Sequence, residues 1–161
     1  MDYLLPISNR AALVWVVSEQ RTALPSGRVA EAGLIRRRDR LFLYTTRGCF
    51  RNPTRDRGRV ISTARVTAPA QELSEPIVFG GRTYQIGLWF RIERLAAVRE
   101  GVELGPLVSQ LATFPNPDAW SARLRRSLVP LAGDDGDVLQ HAVAKIAPPY
   151  PAALPTYLAL G

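Results

Sequence analysis

The sequence predicts an α+β domain, in which helices surround a mostly antiparallel sheet of about five strands. Short runs rich in Val, Ile and Thr fill the first two thirds of the chain, and a Gly-Gly pair separates two of them. The last third carries helical spacing. Since 161 residues, 47% of them hydrophobic, suffice for one core, we expect one domain over residues 1–146 and a proline-rich tail over residues 147–161.

The first strand and helix follow from an apolar run and the polar pair after it. Residues 3–7 suit a buried strand, and Ser8-Asn9 offers an N-cap for a helix. At 100° per residue, Trp15 points away from the apolar face of that helix. That mostly apolar face is predicted to consist of Leu13, Val16, Val17, Gln20 and Leu24.

The middle of the chain predicts strands joined by turns. Pro25-Ser26-Gly27 breaks the chain after the first helix. Gly80-Gly81 suits a tight two-residue hairpin, because both central positions need positive φ. Further strands are predicted over residues 41–46, 60–67, 77–79 and 82–92.

The last third predicts helices followed by the tail. Asp118 can cap the second of these helices. The prolines of the tail bar regular structure until its final few residues. Helices are predicted over residues 104–111, 118–128 and 134–144.

Positive charge is concentrated in one segment. Between Arg28 and Arg65 there are eleven arginines and three acidic residues, whereas the rest of the chain carries ten basic and eleven acidic residues. Such a cluster is typical of a surface that binds a polyanion, since each neutralised phosphate releases a counterion. A coding bias, with Lys145 the only lysine, explains the preference for arginine but not the clustering.

Composition and motifs argue against several classes of protein. Cys49 is the only cysteine, which excludes a disulfide framework and favours a reducing, cytoplasmic setting. The apolar run over residues 13–17 is too short for a signal sequence or membrane span, so we expect no membrane association. His141 stands alone, and no phosphate-cradling, dinucleotide or nucleophile-elbow motif occurs. We expect no metal, no cofactor, no catalytic residues and no enzyme activity.

Four aromatic residues near arginines are candidates to line one cavity. Tyr44 lies on a predicted strand that leads to Arg47, and Phe50 follows three residues later. Trp89 takes the face of its strand opposite to its apolar neighbours. Trp15 lies off the core face of its helix.

Five stretches of sequence follow one another in the order found in one known family. They are the strand ending in Ser8-Asn9-Arg10, RRRDRLFLYTT, RGRVISTARVT, ELSEPIVF and FRIERLAAVREGVELGPLVSQL. Over residues 3–143 the chain thereby resembles the EVE domain, a member of the PUA-like superfamily related to YTH and ASCH domains. The first two stretches match best, and the others are matched by order and spacing.

The resemblance implies an open, curved β-barrel flanked by helices, with a pocket that accepts a nucleobase taken out of its stack. By position, Asn9 would sit at the pocket entrance, Tyr44 and Thr45 would line a wall, and residues 47–50 would form the adjoining loop. Family members often carry a tryptophan four residues after the asparagine, where this chain has leucine. Either Trp15 substitutes from a shifted helix, or the pocket lacks one wall.

We therefore expect a non-catalytic reader of DNA or RNA that accepts a flipped, modified base such as methylated or hydroxymethylated cytosine. Any cleavage of the nucleic acid would fall to a separately encoded nuclease, and the sequence leaves open whether such a partner exists. The base-binding residues are predicted to be Asn9, Trp15, Tyr44, Thr45, Phe50 and Trp89. The flanking phosphates are predicted to contact Arg47, Arg51, Arg55, Arg57 and Arg59.

Three other functions stay open at this point, as do the oligomeric state and the choice between DNA and RNA. One is a small-molecule or nucleotide sensor that uses the same pocket. Another is an ASCH-like hydrolase of RNA or nucleosides, although Lys145, near the tail, is the only lysine available to it. The third is a module whose arginine cluster docks an acidic protein.

Overall fold

The computed structural model describes the backbone of all 161 residues and the side chains of residues 1–27 and 31–161. The fold is α+β, as predicted, with a few helices packed on a curled, mixed sheet. The strands are β1 (Asp2–Ile7), β2 (Arg21–Leu24), β3 (Arg40–Thr45), β4 (Arg59–Val66), β5 (Gln71–Phe79), β6 (Arg82–Leu95), β7 (Val102–Glu103) and β8 (Val129–Pro130). The α-helices are α1 (Arg10–Glu19), α2 (Val29–Ala32), α3 (Asp135–Ala144) and α4 (Tyr150–Leu158), and 3-10 helices span Ser26–Arg28, Gly105–Gln110 and Pro117–Arg125.

The sheet has the strand order β2-β6-β4-β3-β1-β8, with β5 paired to β6 and β7 to β4. Over the described backbone it holds eight strands rather than five, because β2, β7 and β8 are too short to give a periodic sequence pattern. The predicted hairpin at Gly80-Gly81 is confirmed, with both φ angles positive. Since β1 and β3 run parallel and pair Ile7 with Thr45, both end at the same edge of the sheet.

Strand β3 separates two apolar cores. Leu41 and Leu43 face one core, which α1 and α4 close, whereas Phe42 and Tyr44 face another, which α3 closes. All four side chains are buried, and each such burial stabilises the fold by roughly 1.5–3 kcal/mol. Packing on both faces therefore fixes the sheet edge at which β1 and β3 end.

Helix α1 ends earlier than predicted. Gln20 adopts the left-handed conformation at φ 52° and terminates the helix. Its backbone and side-chain oxygens accept hydrogen bonds from the amides of Phe90 and Ile92 at 3.1 and 2.7 Å. These bonds to β6 outweigh the helical periodicity, so Leu24 lies in β2 and not on the helix face. The predicted core residues of the helix itself, Leu13, Val16 and Val17, are buried.

The prediction that prolines exclude regular structure from the tail is wrong, because α4 occupies it. Pro151 lies in the first turn, where its missing N–H leaves no intrahelical hydrogen bond unmade. Pro155 lies inside the helix. Tyr157 is 1% exposed, and its hydroxyl donates to the carbonyl of Ala96 at 2.6 Å. Burial of this large side chain compensates for the unfavourable Pro155.

The two predicted helices before α3 are 3-10 helices. Asn116, not Asp118, caps the second one, since the Asn116 side chain accepts a hydrogen bond from the Asp118 amide at 3.2 Å. Helix α3 itself confirms the prediction over residues 134–144. No helix in the described part of the chain has the length and apolar character needed to cross a bilayer.

Candidate functional site

A cavity of about 600 Å³ opens at the sheet edge where β1 ends. Its lining comes from separate stretches of the chain: the end of β1 with the start of α1, strand β2, Thr46, the tip of the β5–β6 hairpin, and residues 124–127 before β8. Its volume lies within the range of about 300–1,000 Å³ that small-molecule sites occupy. The cavity is therefore the main candidate site.

Asn9 lies at the cavity as the N-cap of α1. Its backbone is extended, and its Oδ1 accepts a hydrogen bond from the Ala12 amide at 3.0 Å. That bond fixes the orientation of the side-chain amide, because an N-cap oxygen must face the first turn of its helix. The Nδ2 group makes no hydrogen bond to another described residue and keeps two N–H donors for a ligand.

Trp15 forms the aromatic wall of the cavity. Its ring centroid lies 5.3 Å from that of Phe79, at an interplanar angle of 58°. The guanidinium carbon of Arg21 lies 5.1 Å from the Trp15 ring centroid, close enough for a cation–π contact. The wall is therefore built by α1, β2 and the hairpin together.

The tip of the β5–β6 hairpin supplies a second part of the lining. Gly80 and Gly81 have φ angles of 56° and 76°, which the tight turn requires. The turn pairs Phe79 with Arg82 and brings both to the cavity, where Tyr84 joins them. The sequence predicted this hairpin, but not that its tip would reach α1.

Three arginines lie on the lining, and we call Arg82, Arg125 and Arg126 the rim arginines. All three are exposed, and none makes an ion pair or side-chain hydrogen bond to another described residue. No Asp or Glu occurs among the described residues of the lining. Uncompensated positive charge of this kind favours an anionic ligand. Sequence reasoning missed these residues, for which the only local signal was the Arg125-Arg126 doublet.

Two of the predicted wall residues lie elsewhere. Tyr44 is 2% exposed in the core that α3 closes, and burial raises the pKa of its phenol to about 12. Its ring covers Gly58, where a Cβ would overlap the hydroxyl. Thr45 is also buried, with its hydroxyl 3.5 Å from the carbonyl of Arg59. The residue that reaches the cavity from this strand end is the next one, Thr46.

The other two predicted aromatic residues also lie outside the lining. Phe50 is half-buried against the core that α1 and α4 close, with the guanidinium of Arg99 5.0 Å from its ring centroid. The Trp89 ring folds over Gly87, where an added Cβ would come within 2.8 Å of it. Neither ring belongs to the cavity lining.

The predicted phosphate-binding residues occupy residues 46–59, which we call the arginine loop. Arg47 donates to the carbonyl of Pro53 at 2.8 Å. Arg59 donates to the carbonyl of Gly101 at 3.1 Å and lies 3.3 Å from the Glu103 carboxylate. The remaining three are exposed and make no ion pair or side-chain hydrogen bond to another described residue: Arg51, Arg55 and Arg57.

Comparison with known proteins identifies solved structures of the same fold, and none of them has a named function. The chain matches no protein-family model and no curated protein. Protein Rpa0253 from Rhodopseudomonas palustris is 16% identical with a TM-score of 0.53, over 89% of this chain and 93% of that one. A hypothetical protein from Leishmania major is 10% identical with a TM-score of 0.55, over 89% and 94%. Protein PSPTO5229 from Pseudomonas syringae is 10% identical with a TM-score of 0.52, over 88% and 98%. At these identities the similarity shows the fold alone.

Proposed function

We propose that the chain is a PUA-like module of the EVE type, which binds DNA or RNA and accepts one extruded, modified base in the cavity without catalysis. The observation that carries the proposal is the combination of an aromatic wall with unpaired guanidinium groups in one cavity. The resemblance to EVE domains expects Asn9 at the pocket entrance, and Asn9 belongs to the lining.

Stacking on the aromatic wall offsets the cost of taking a base out of its stack. Extrusion from a duplex costs a few kcal/mol, and one stacking partner returns about 1–3 kcal/mol per base. Trp15 and Phe79 both belong to the lining and offer two aromatic stacking surfaces. A single strand binds more readily than a duplex, because it gives up less stacking and no base pairing.

Recognition of a modification needs more than an added methyl group. Burying one methyl contributes about 0.8 kcal/mol, which is roughly a fourfold preference. A sharper preference arises where the wrong base leaves a buried polar group without a hydrogen bond. The Asn9 amide is the group positioned for this role, because its two N–H donors suit a carbonyl oxygen on the base edge.

The test is a titration of the protein with oligonucleotides that carry 5-methylcytosine, 5-hydroxymethylcytosine, N6-methyladenine or no modification. Tryptophan fluorescence and anisotropy are followed for single and double strands at two salt concentrations. Trp15 is the only tryptophan among the described residues of the lining, so a bound base quenches its emission. Quenching with tighter, salt-sensitive binding of one modified strand supports the proposal.

Other outcomes favour other functions. Salt-sensitive binding with no preference for a modification reduces the function to electrostatic attraction. Binding of a free nucleoside as tight as that of an oligonucleotide favours a small-molecule sensor. Absence of binding to every probe overturns the proposed function.

A further inference from the structure

Arg125 and Arg126 lie on the opposite side of β1 from the arginine loop. Strand β8 pairs antiparallel with β1, matching Leu4 with Val129. The chain just before β8 therefore runs beside the end of β1, and residues 125–127 line the cavity there. The arginine loop instead follows β3, which borders the other side of β1. The two basic segments therefore leave the sheet on opposite sides of β1.

Arg125 and Arg126 are carried by a backbone segment that is anchored at both ends. Leu124 on one side and Leu128 on the other are buried in the two cores. Between them, the backbone of Arg126 is extended and directs exposed side chains to the cavity. The anchored backbone places both side chains at the cavity, so binding a ligand orders these side chains but not the chain that carries them.

We propose that Arg125 and Arg126, with Arg82 across the cavity, form a subsite for the phosphate group attached to the nucleoside in the cavity. This inference rests on the proposed function. Guanidinium groups bind phosphate through paired N–H donors, and the described lining offers no carboxylate to compete. The phosphate belongs either to a free nucleotide or to the backbone of a strand.

The test compares the double variant Arg125→Ala/Arg126→Ala with Arg36→Ala/Arg37→Ala. The control removes the same charge from exposed residues before β3. Six strand residues, or about 20 Å, separate that turn from the cavity edge. Three probes are used: 5-methyl-2′-deoxycytidine, its 5′-monophosphate, and a single-stranded oligonucleotide with one 5-methylcytosine.

In the wild type, we expect the monophosphate to bind more tightly than the nucleoside. Arg125→Ala/Arg126→Ala should remove that difference while nucleoside affinity and melting temperature stay unchanged. For the oligonucleotide, the slope of log K against log salt should fall by about 0.7 for each phosphate that the variant no longer neutralises. The control should behave as the wild type in all three titrations.

The three titrations distinguish a free nucleotide from a strand as the source of the phosphate. They also distinguish failure of the phosphate subsite from failure of the proposed function. A changed monophosphate preference with an unchanged oligonucleotide slope assigns the subsite to free nucleotides, whereas both changes assign it to a strand. If the nucleoside and oligonucleotide bind but both double variants behave alike, the phosphate subsite is wrong and the proposed function stands. If the wild type binds none of the three probes, the proposed function fails and the subsite fails with it.

Discussion

The arginine loop and the rim arginines differ in how their positive charge is assembled. The loop is one contiguous segment, whereas the rim joins the β5–β6 hairpin to a segment more than forty residues later. Part of the charge in the loop is already engaged, since Arg47 and Arg59 bind backbone carbonyls. The rim arginines have no such partners among the described residues. Clustering of arginines in the sequence thus identifies a basic segment. Arginines that the fold leaves without partners are the better indication of a binding site.

The largest expected change in affinity tests whether the base binds in the cavity, beside the rim arginines. Trp15→Ala should weaken binding of a modified single strand by about 1–3 kcal/mol, roughly 5- to 150-fold, because the variant lacks one stacking partner. Trp89→Ala is the matched control, since Trp89 is also half-buried but lies over Gly87 outside the lining. Anisotropy titrations measure both affinities. If only Trp89→Ala weakens binding, the base binds at Trp89, on the other face of β6, and not in the cavity.

A smaller effect is expected in the loop. Arg51→Ala with Arg55→Ala should lower the slope of log K against log salt by up to about 1.4 for a single strand, since two phosphate contacts are removed. Affinity for a free nucleoside should not change, because neither residue belongs to the lining. If the slope and the affinity for the oligonucleotide both stay at wild-type values, the loop does not contact phosphate and the rim alone binds the backbone.

The difference between the two regions also explains how far the fold could be predicted. Strands β3 and β4 and helix α3 carry strong local patterns, and the sequence predicts each within two residues. The end of α1 depends on hydrogen bonds that Gln20 accepts from amides of β6, a strand about seventy residues away. Helix α4 forms despite its prolines because Tyr157 fills the core. Local patterns do not contain such long-range contacts.

The candidate site shows the same limit. Asn9 and Trp15 were predictable because both belong to α1, whose cap and apolar face can be read from neighbouring residues. Phe79 and Arg126 reach the cavity through the hairpin tip and the pairing of β8 with β1. Tyr44 was misplaced because a strand with apolar residues on both faces does not reveal which core each face meets.

Arg59→Ala tests whether Arg59, unlike the exposed arginines of the loop, stabilises the fold. We expect the unfolding free energy to fall by about 1 kcal/mol, because the bonds to Gly101 and Glu103 are removed at a site where the two ionic side chains are 27% and 42% exposed. The melting temperature should fall by about 2–4 °C. Arg57→Ala, which removes an exposed side chain, should leave it unchanged. If Arg59→Ala lowers the slope of log K against log salt and leaves the melting temperature unchanged, Arg59 contacts phosphate rather than stabilising the fold.

The smallest expected effect concerns Tyr44, which lies in a core and not in the cavity lining. Tyr44→Phe should leave the affinity for every probe unchanged. Burial favours the neutral phenol and raises its pKa from 10.0 to about 12, so its contribution to stability is complete below pH 10 and is lost as the pH rises towards 12. Denaturant unfolding of wild type and variant at pH 9 and pH 11 measures this, and the wild type should lose more stability than the variant. A Tyr44→Phe variant with weaker binding and no difference in alkaline stability would place the phenol at the ligand, because an accessible hydroxyl has no reason to resist ionisation.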